Sequence, residues 1–155
     1  MEGDDIRVPT VPVEVGFLLC DGARLSATIH LSSTSPFHDG AETLDEFFNA
    51  RRRFLPVHAS DGKAVLVGRG AIVTATAPPS APLLSRLPGR VPGAIYFVKI
   101  YLETGDAVEG TVLASLPSES SRVSDAFNQE EEFVPLEGEE SVVFVRKDRI
   151  ARIEL

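Results

Sequence analysis

Thr43-Leu44-Asp45-Glu46-Phe47-Phe48-Asn49, followed by Phe54-Leu55-Pro56-Val57, is the stretch whose reading decides the fold. It returns as Arg122-Val123-Ser124-Asp125-Ala126-Phe127-Asn128, followed by Phe133-Val134-Pro135-Leu136. From Phe48 to Phe127, Asn49 to Asn128, Phe54 to Phe133 and Pro56 to Pro135 the step is always 79 residues. The chain therefore reads as one small module written twice.

The local chemistry of the first copy is specific. Thr43 with Glu46 three residues on spells a capping box, and Leu44, Phe47 and Phe48 fall on one side of the helix it starts. Upstream, Val13 to Cys20 is apolar and β-branched, as in a strand, and Asp21-Gly22 is a hairpin signal. Arg24 to Leu31 then alternates, with Leu25, Ala27, Ile29 and Leu31 on one face and Arg24, Ser26, Thr28 and His30 on the wet one. Ser32 to Ala41 is a loop. Downstream, Phe54-Leu55-Pro56-Val57 is a short strand in which Pro56 marks an edge or bulge. Ala64 to Val67 and Ala71 to Ala75 are two further strands around Gly68-Arg69-Gly70.

Ile95 to Leu102, Thr104-Gly105 and Ala107 to Val112 open the second copy in the same order. A loop, Ser115 to Ser121, leads to a helix over Arg122 to Asn128, capped by Ser121 or Ser124. Val142 to Val145 and Ile150 to Ile153 then match Ala64 to Val67 and Ala71 to Thr74. The step from Gly22 to Gly105 is 83 residues, so the second loop is the shorter one. The expected organisation is a lead-in at 1–12, a module at 13–76, a linker at 77–93 and a module at 94–155. Pro78, Pro79, Pro82, Pro88 and Pro92 stiffen the linker, and Leu83, Leu84 and Leu87 call for a short packed helical turn within it.

Each copy holds five short strands and one helix in roughly 65 residues, which favours a small barrel because closure removes unpaired edges. The expected fold class is mainly β: two tandem small β-barrel repeats, each with one short helix after the second strand. The apolar strand, turn glycine and small-residue strand carried by Leu102, Gly105, Val108 and Gly110 resemble the first motif of Sm-like, SH3-like small barrels. That family places its helix before the first strand, whereas here it follows the second. Its second motif, an Asn or Lys with Gly before the last strands, is absent, so no RNA-site residue carries over. The whole unit also resembles small bacterial β-rich domains that share the Phe-Asn and Phe-x-Pro-Leu pattern and bring no established activity with them.

Composition narrows the function. The chain has 155 residues, 43% hydrophobic and 25% charged, as in a soluble globular protein. A net charge of −8 repels phosphate backbones and anionic membranes, which argues against nucleic acid as a partner. The single Cys20 forms no internal disulfide and reads as a thiol packed in its strand, so a reducing, cytoplasmic setting is expected. Met1-Glu2-Gly3-Asp4-Asp5 is acidic where a secretory signal is basic, and no apolar run approaches the ~20 residues of a membrane span.

No catalytic signature emerges. Gly68-Arg69-Gly70 is too short for a phosphate loop, there is no Gly-x-Ser-x-Gly elbow, and His30, His38 and His58 match no metal-ligand spacing. Asp45 and Glu46 stand at a helix N-terminus, where the macrodipole favours them. The reading is therefore a non-enzyme without cofactor or metal. Phe48, Phe54, Phe127 and Phe133 are expected as core anchors, and Asn49 and Asn128 as left-handed helix ends.

Two groups of side chains remain as candidate contacts. Arg51-Arg52-Arg53 in the first copy stands where Glu130-Glu131-Glu132 stands in the second, an opposition of charge suited to head-to-tail homo-oligomers. Phe37, His38 and Asp39 lie in the longer loop, the main insertion between copies. The expected function is a non-catalytic protein-protein interaction or assembly adaptor. The alternatives are an Sm-like nucleic-acid-binding module and a sensor of small phosphorylated ligands using Arg51, Arg52 and Arg53.

Overall fold

The computed structural model describes residues 10–78, 90–92, 96–112, 115–117 and 123–155, with 90–92 and 115–117 as backbone alone. Strands β1 (Thr10–Leu19) and β2 (Arg24–Ser32) form a hairpin, followed by helix α1 (Leu44–Asn49). β3 (Phe54–Ala59), β4 (Ala64–Gly68) and β5 (Ile72–Ala77) come next, with a 3-10 turn at Arg69–Ala71. The second half runs through β6 (Arg90–Pro92), β7 (Phe97–Leu102), β8 (Ala107–Val112), β9 (Ser115–Pro117) and α2 (Val123–Phe127). It ends with β10 (Phe133–Glu137), β11 (Val142–Arg146), a 3-10 turn at Lys147–Arg149 and β12 (Ile150–Glu154).

The fold is mainly β. Ten strands form one antiparallel, unclosed sheet in the order β12-β7-β8-β10-β11-β5-β1-β2-β3-β4, and β6 and β9 pair separately as a two-stranded ribbon. The first half contributes the run β5-β1-β2-β3-β4 and the second the run β12-β7-β8-β10-β11. The registers correspond residue by residue. Leu19 faces Ile72 as Leu102 faces Ile150, and Phe54 faces Gly68 as Phe133 faces Arg146. Both first hairpins turn on a glycine at positive φ, Gly22 at 87° and Gly105 at 92°, where a side chain would be strained. The halves meet where β11 pairs with β5, from Val142 opposite Ala77 to Val145 opposite Thr74.

Alternation along β2 buries Ala27, Ile29 and Leu31 on one face, as the sequence demands. Two cores result. The first gathers Val15, Phe17, Ile29, Leu44, Phe47 and Phe48, and the second Val98, Ile100, Val112, Ala126, Val134 and Leu136. They interlock across the junction. Phe133, Val142 and Phe144 belong to the first core, while Leu18 and Val73 belong to the second. Phe48 is the hub, with its ring 5.1 Å from Phe144 and 5.7 Å from Phe133.

Several expectations need correction. β1 begins at Thr10, inside the expected lead-in, because Thr10, Val11 and Pro12 pair with Ser32, Leu31 and His30. Cys20 is exposed: β1 stops at Leu19, and the Cys20 N–H turns to the Ala71 carbonyl. Phe54 is 58% exposed and Phe127 half-buried, so only Phe48 and Phe133 anchor a core fully. Asn49 lies inside α1 and does not close it. Ala50 ends the helix in an extended conformation (φ −65°, ψ 142°). Ser124 is within α2, and Ile150 corresponds to Ile72, one residue after the match read from sequence. Ser115–Pro117, read as loop, is β9, and Pro92, read as linker, is in β6. The linker leucines Leu83, Leu84 and Leu87, and the capping candidate Ser121, lie outside the described residues.

Candidate functional site

The junction of the halves concentrates the polar chemistry. The 3-10 turn after β4 presents Arg69, whose side chain is 8% exposed. Its Nε donates to the Phe48 carbonyl at 2.7 Å, and its Nη1 donates to both Glu132 carboxylate oxygens at 3.0 and 3.1 Å. The guanidinium also lies 5.5 Å from the Phe133 ring centre, within cation–π range. Arg146 approaches the same carboxylate at 3.3 Å and donates to the Arg69 carbonyl. Arg149 donates to the Gly70 carbonyl at 2.9 Å and to Glu103 at 2.6 Å. Asn49 bridges the two halves: its amide N–H donates to Asp45 O, and its Oδ1 accepts the Phe133 N–H at 2.9 Å.

Around this pair lies an open cavity of about 460 Å³, lined by Arg51, Arg52, Arg53, Arg69, Arg146 and Glu132. The basic triplet and Glu132 therefore meet within one chain. Glu131 and Arg52 line a neighbouring groove of about 580 Å³ with Phe37, Asp45 and Glu46. Arg52 also reaches Glu42 at 3.9 Å and lies 5.5 Å from the Phe47 ring centre. Glu130 lines neither cavity. Lys147, the counterpart of Arg69, donates to the Gln129 carbonyl at 3.0 Å. Burial lowers its pKa, and the charge of Glu131 opposes that shift.

Phe37, His38 and Asp39 form the second candidate group. Phe37 is 72% exposed at the groove. His38 is fixed with Nδ1 2.9 Å from the Asp39 carbonyl and Nε2 2.9 Å from Glu46 Oε1. Two acceptors facing the two ring nitrogens favour the imidazolium, in which both donate. The Asp39 carbonyl, then Glu46, raise the His38 pKa above its ordinary value. Burial alone would raise the Glu46 carboxyl, but donation from the Thr43 N–H, His38 and Ser35 outweighs it and lowers the pKa. Glu46 thus performs the reciprocal half of the capping box and also ties the loop to α1.

His30 and His58 stand edge to face at 5.3 Å, whereas His38 is bonded to Glu46. Among the described residues no group of three or more His, Cys, Asp or Glu is placed to hold a metal ion. No helix among them is long and apolar enough to cross a membrane. Sequence reasoning missed Arg69, Arg146, Arg149 and the bridging role of Asn49. One signal was there: Arg146 and Arg149 stand where the first half has Gly68 and Ala71.

No protein-family model, curated protein or solved structure matches this chain.

Proposed function

We propose that this chain is a non-catalytic assembly module, two like β modules fused edge to edge, which binds protein partners through the strand edges left over. One observation carries the reading: β11 of the second half pairs with β5 of the first. That contact uses one edge of each half. The edges of the same two kinds that remain are β4 at one end of the sheet and β12 at the other. Strand addition to such an edge supplies main-chain hydrogen bonds, and alternate side chains supply selectivity. The edges carry apolar side chains: Leu66 on β4 is 67% exposed, Phe54 on the adjoining β3 is 58% exposed, and Leu155 beyond β12 is 85% exposed.

The matching registers, glycine turns and 3-10 turns of the halves support a duplicated module. Bending of each half towards a small, Sm-like or SH3-like barrel is supported by the register shifts at Leu18/Leu19 and at Ile150/Arg152, since bulges curve a sheet. The net charge of −8 favours protein over nucleic acid.

A second reading has its own observation. Five arginines around one carboxylate make the 460 Å³ cavity suited to a small phosphorylated ligand. The test is affinity capture with the full chain as bait in native lysate. A retained protein that is lost with Leu66→Lys supports the assembly module. Retention unaffected by that change, or retention of RNA alone, overturns it. A thermal shift with pyrophosphate that disappears in Arg51→Ala/Arg53→Ala would favour the second reading.

A further inference from the structure

We infer that the β4 edge of one chain is made to receive β12 of a second copy, so that molecules add head to tail through a copy of the junction already inside the chain. This rests on the assembly reading above and names its partner. Among the described residues neither β4 nor β12 has a second neighbour in the sheet.

The first support is a difference in burial between equivalent positions. β10 is buried on both faces over Phe133–Leu136, whereas β3 alternates and exposes Phe54, Pro56 and His58. Phe133 and Phe144 are 1% and 0% exposed, while Phe54 and Leu66, in the same register positions, are 58% and 67% exposed. Phe133 and Phe144 are covered because β11 lies on β5 and both rings rest on Phe48 of α1. The second half has the counterpart of Phe48 in Phe127, half-buried on α2 beside the β12 end of the sheet. Seating Phe54 and Leu66 on the Phe127 of the next copy would bury an apolar pair that one chain leaves in water.

The second support is register. Transposing the β11–β5 pairing to the free edges sets Ala64 opposite Leu155, Val65 opposite Glu154, Leu66 opposite Ile153 and Val67 opposite Arg152 of the second copy. Each apolar side chain on the exposed face then finds an apolar neighbour. The polar clasp transposes too. Asn128 holds the Ser124 carbonyl at 2.8 Å just as Asn49 holds that of Asp45 at 2.9 Å, which aims its Oδ1 at the Phe54 N–H of the neighbour. Charge transposes only in part. Inside the chain Glu132 enters a cluster of arginines. Between copies Arg53, in the place of Glu132, meets Glu130 and Glu131 but also Lys147, the counterpart of Arg69, while Glu132 of that copy is held by its own Arg69. A heterologous contact of this kind either closes into a ring or grows as an open array.

The experiment is light scattering on size-fractionated full-length chain over a range of concentrations, with two edge variants. Wild type is expected as multiples of 16.7 kDa, of fixed mass for a ring or growing with concentration for an array. Leu66→Lys and Leu155→Asp each alter an exposed side chain, and unchanged melting will show that both fold. Each variant alone is expected as a monomer, because one of the two edge kinds is broken in every copy, and the two mixed one to one as a heterodimer and nothing larger. Phe54→Ser should reproduce Leu66→Lys. A wild type that is monomeric at every concentration, a Leu66→Lys variant that still forms the wild-type oligomer, or a mixture that stays monomeric overturns the inference. If wild type is monomeric yet Leu66 is still required to capture a lysate protein, the assembly reading survives with a different partner. If capture also fails, both fall.

Discussion

Phe133 and Phe54 hold the same register position in the two halves, opposite Arg146 and Gly68, yet one is 1% exposed and the other 58%. Their local sequences are close: Phe-Val-Pro-Leu and Phe-Leu-Pro-Val. The difference comes from outside each half. β10 and β11 have α1 and β5 to lie on, and β3 and β4 have no such neighbour among the described residues. Whether an aromatic ring is a core anchor is decided by what the next part of the sheet offers it.

The comparison breaks most visibly by truncation. Phe133→Ala is expected to lower unfolding free energy by about 3–5 kcal/mol, and Phe54→Ala by less than about 0.5 in dilute monomer, measured by denaturant unfolding. Equal losses would mean that the two halves bury these rings alike. Arg69→Ala should cost about 1–3 kcal/mol, because it removes a buried donor from the Phe48 carbonyl, while Glu132, 40% exposed, keeps Arg146. Lys147→Ala, at the corresponding position, should cost less than about 1 kcal/mol, since it gives up one carbonyl bond. A Lys147 variant as unstable as the Arg69 variant would erase the distinction between the inner junction and the outer edge.

Gly110 and Ala27 sharpen it further. A Cβ on Gly110 would lie 2.6 Å from the Glu137 carbonyl oxygen, so Gly110→Ala should cost about 1–3 kcal/mol through overpacking. Ala27 carries its Cβ in the same register because β2 and β3 stay paired out to Ala27 and Ala59, whereas β8 and β10 stop at Thr111 and Glu137. A melting temperature unchanged by Gly110→Ala would contradict this geometry.

The smallest effect is the pH response of the first half's loop. His38 has a raised pKa, so its bond to Glu46 is complete below the ordinary value of 6.5 and is lost as pH rises through the folded value. Glu46 has a lowered pKa, so its share is complete above the ordinary 4.5 and is lost as pH falls through the folded value. Protection of the Ser35 amide, bonded to Gly40 O, relative to its intrinsic exchange rate at each pH, should therefore be greatest between those limits. His38→Ala should remove the alkaline limb and keep the acid one; an unchanged profile would show that His38 does not hold the loop.

Much of the architecture was legible because it follows from short-range rules. Asp21-Gly22 and Thr104-Gly105 specify turns that need positive φ, the alternation of Arg24 to Leu31 specifies a one-faced strand, and Thr43 with Glu46 starts α1. The charged triplets were also visible, but not that Glu132 would answer Arg69 across the junction. Nothing near Gly68-Arg69-Gly70 marks its arginine for burial, because the carbonyl and carboxylate that receive it are 21 and 63 residues away.

By itself, then, the sequence determined the ten strands of the main sheet and the two helices to within a few residues, the hairpin turns, and the face that β2 would turn inward, since these depend on neighbours within a few positions. Only the tertiary structure decided that Cys20 is exposed, that Asn49 bridges to Phe133 and does not end its helix, and which of two matching edges is covered. The last two outcomes depend on β11 reaching β5, a contact between residues nearly half the chain apart. No local pattern encodes the burial that such a contact brings.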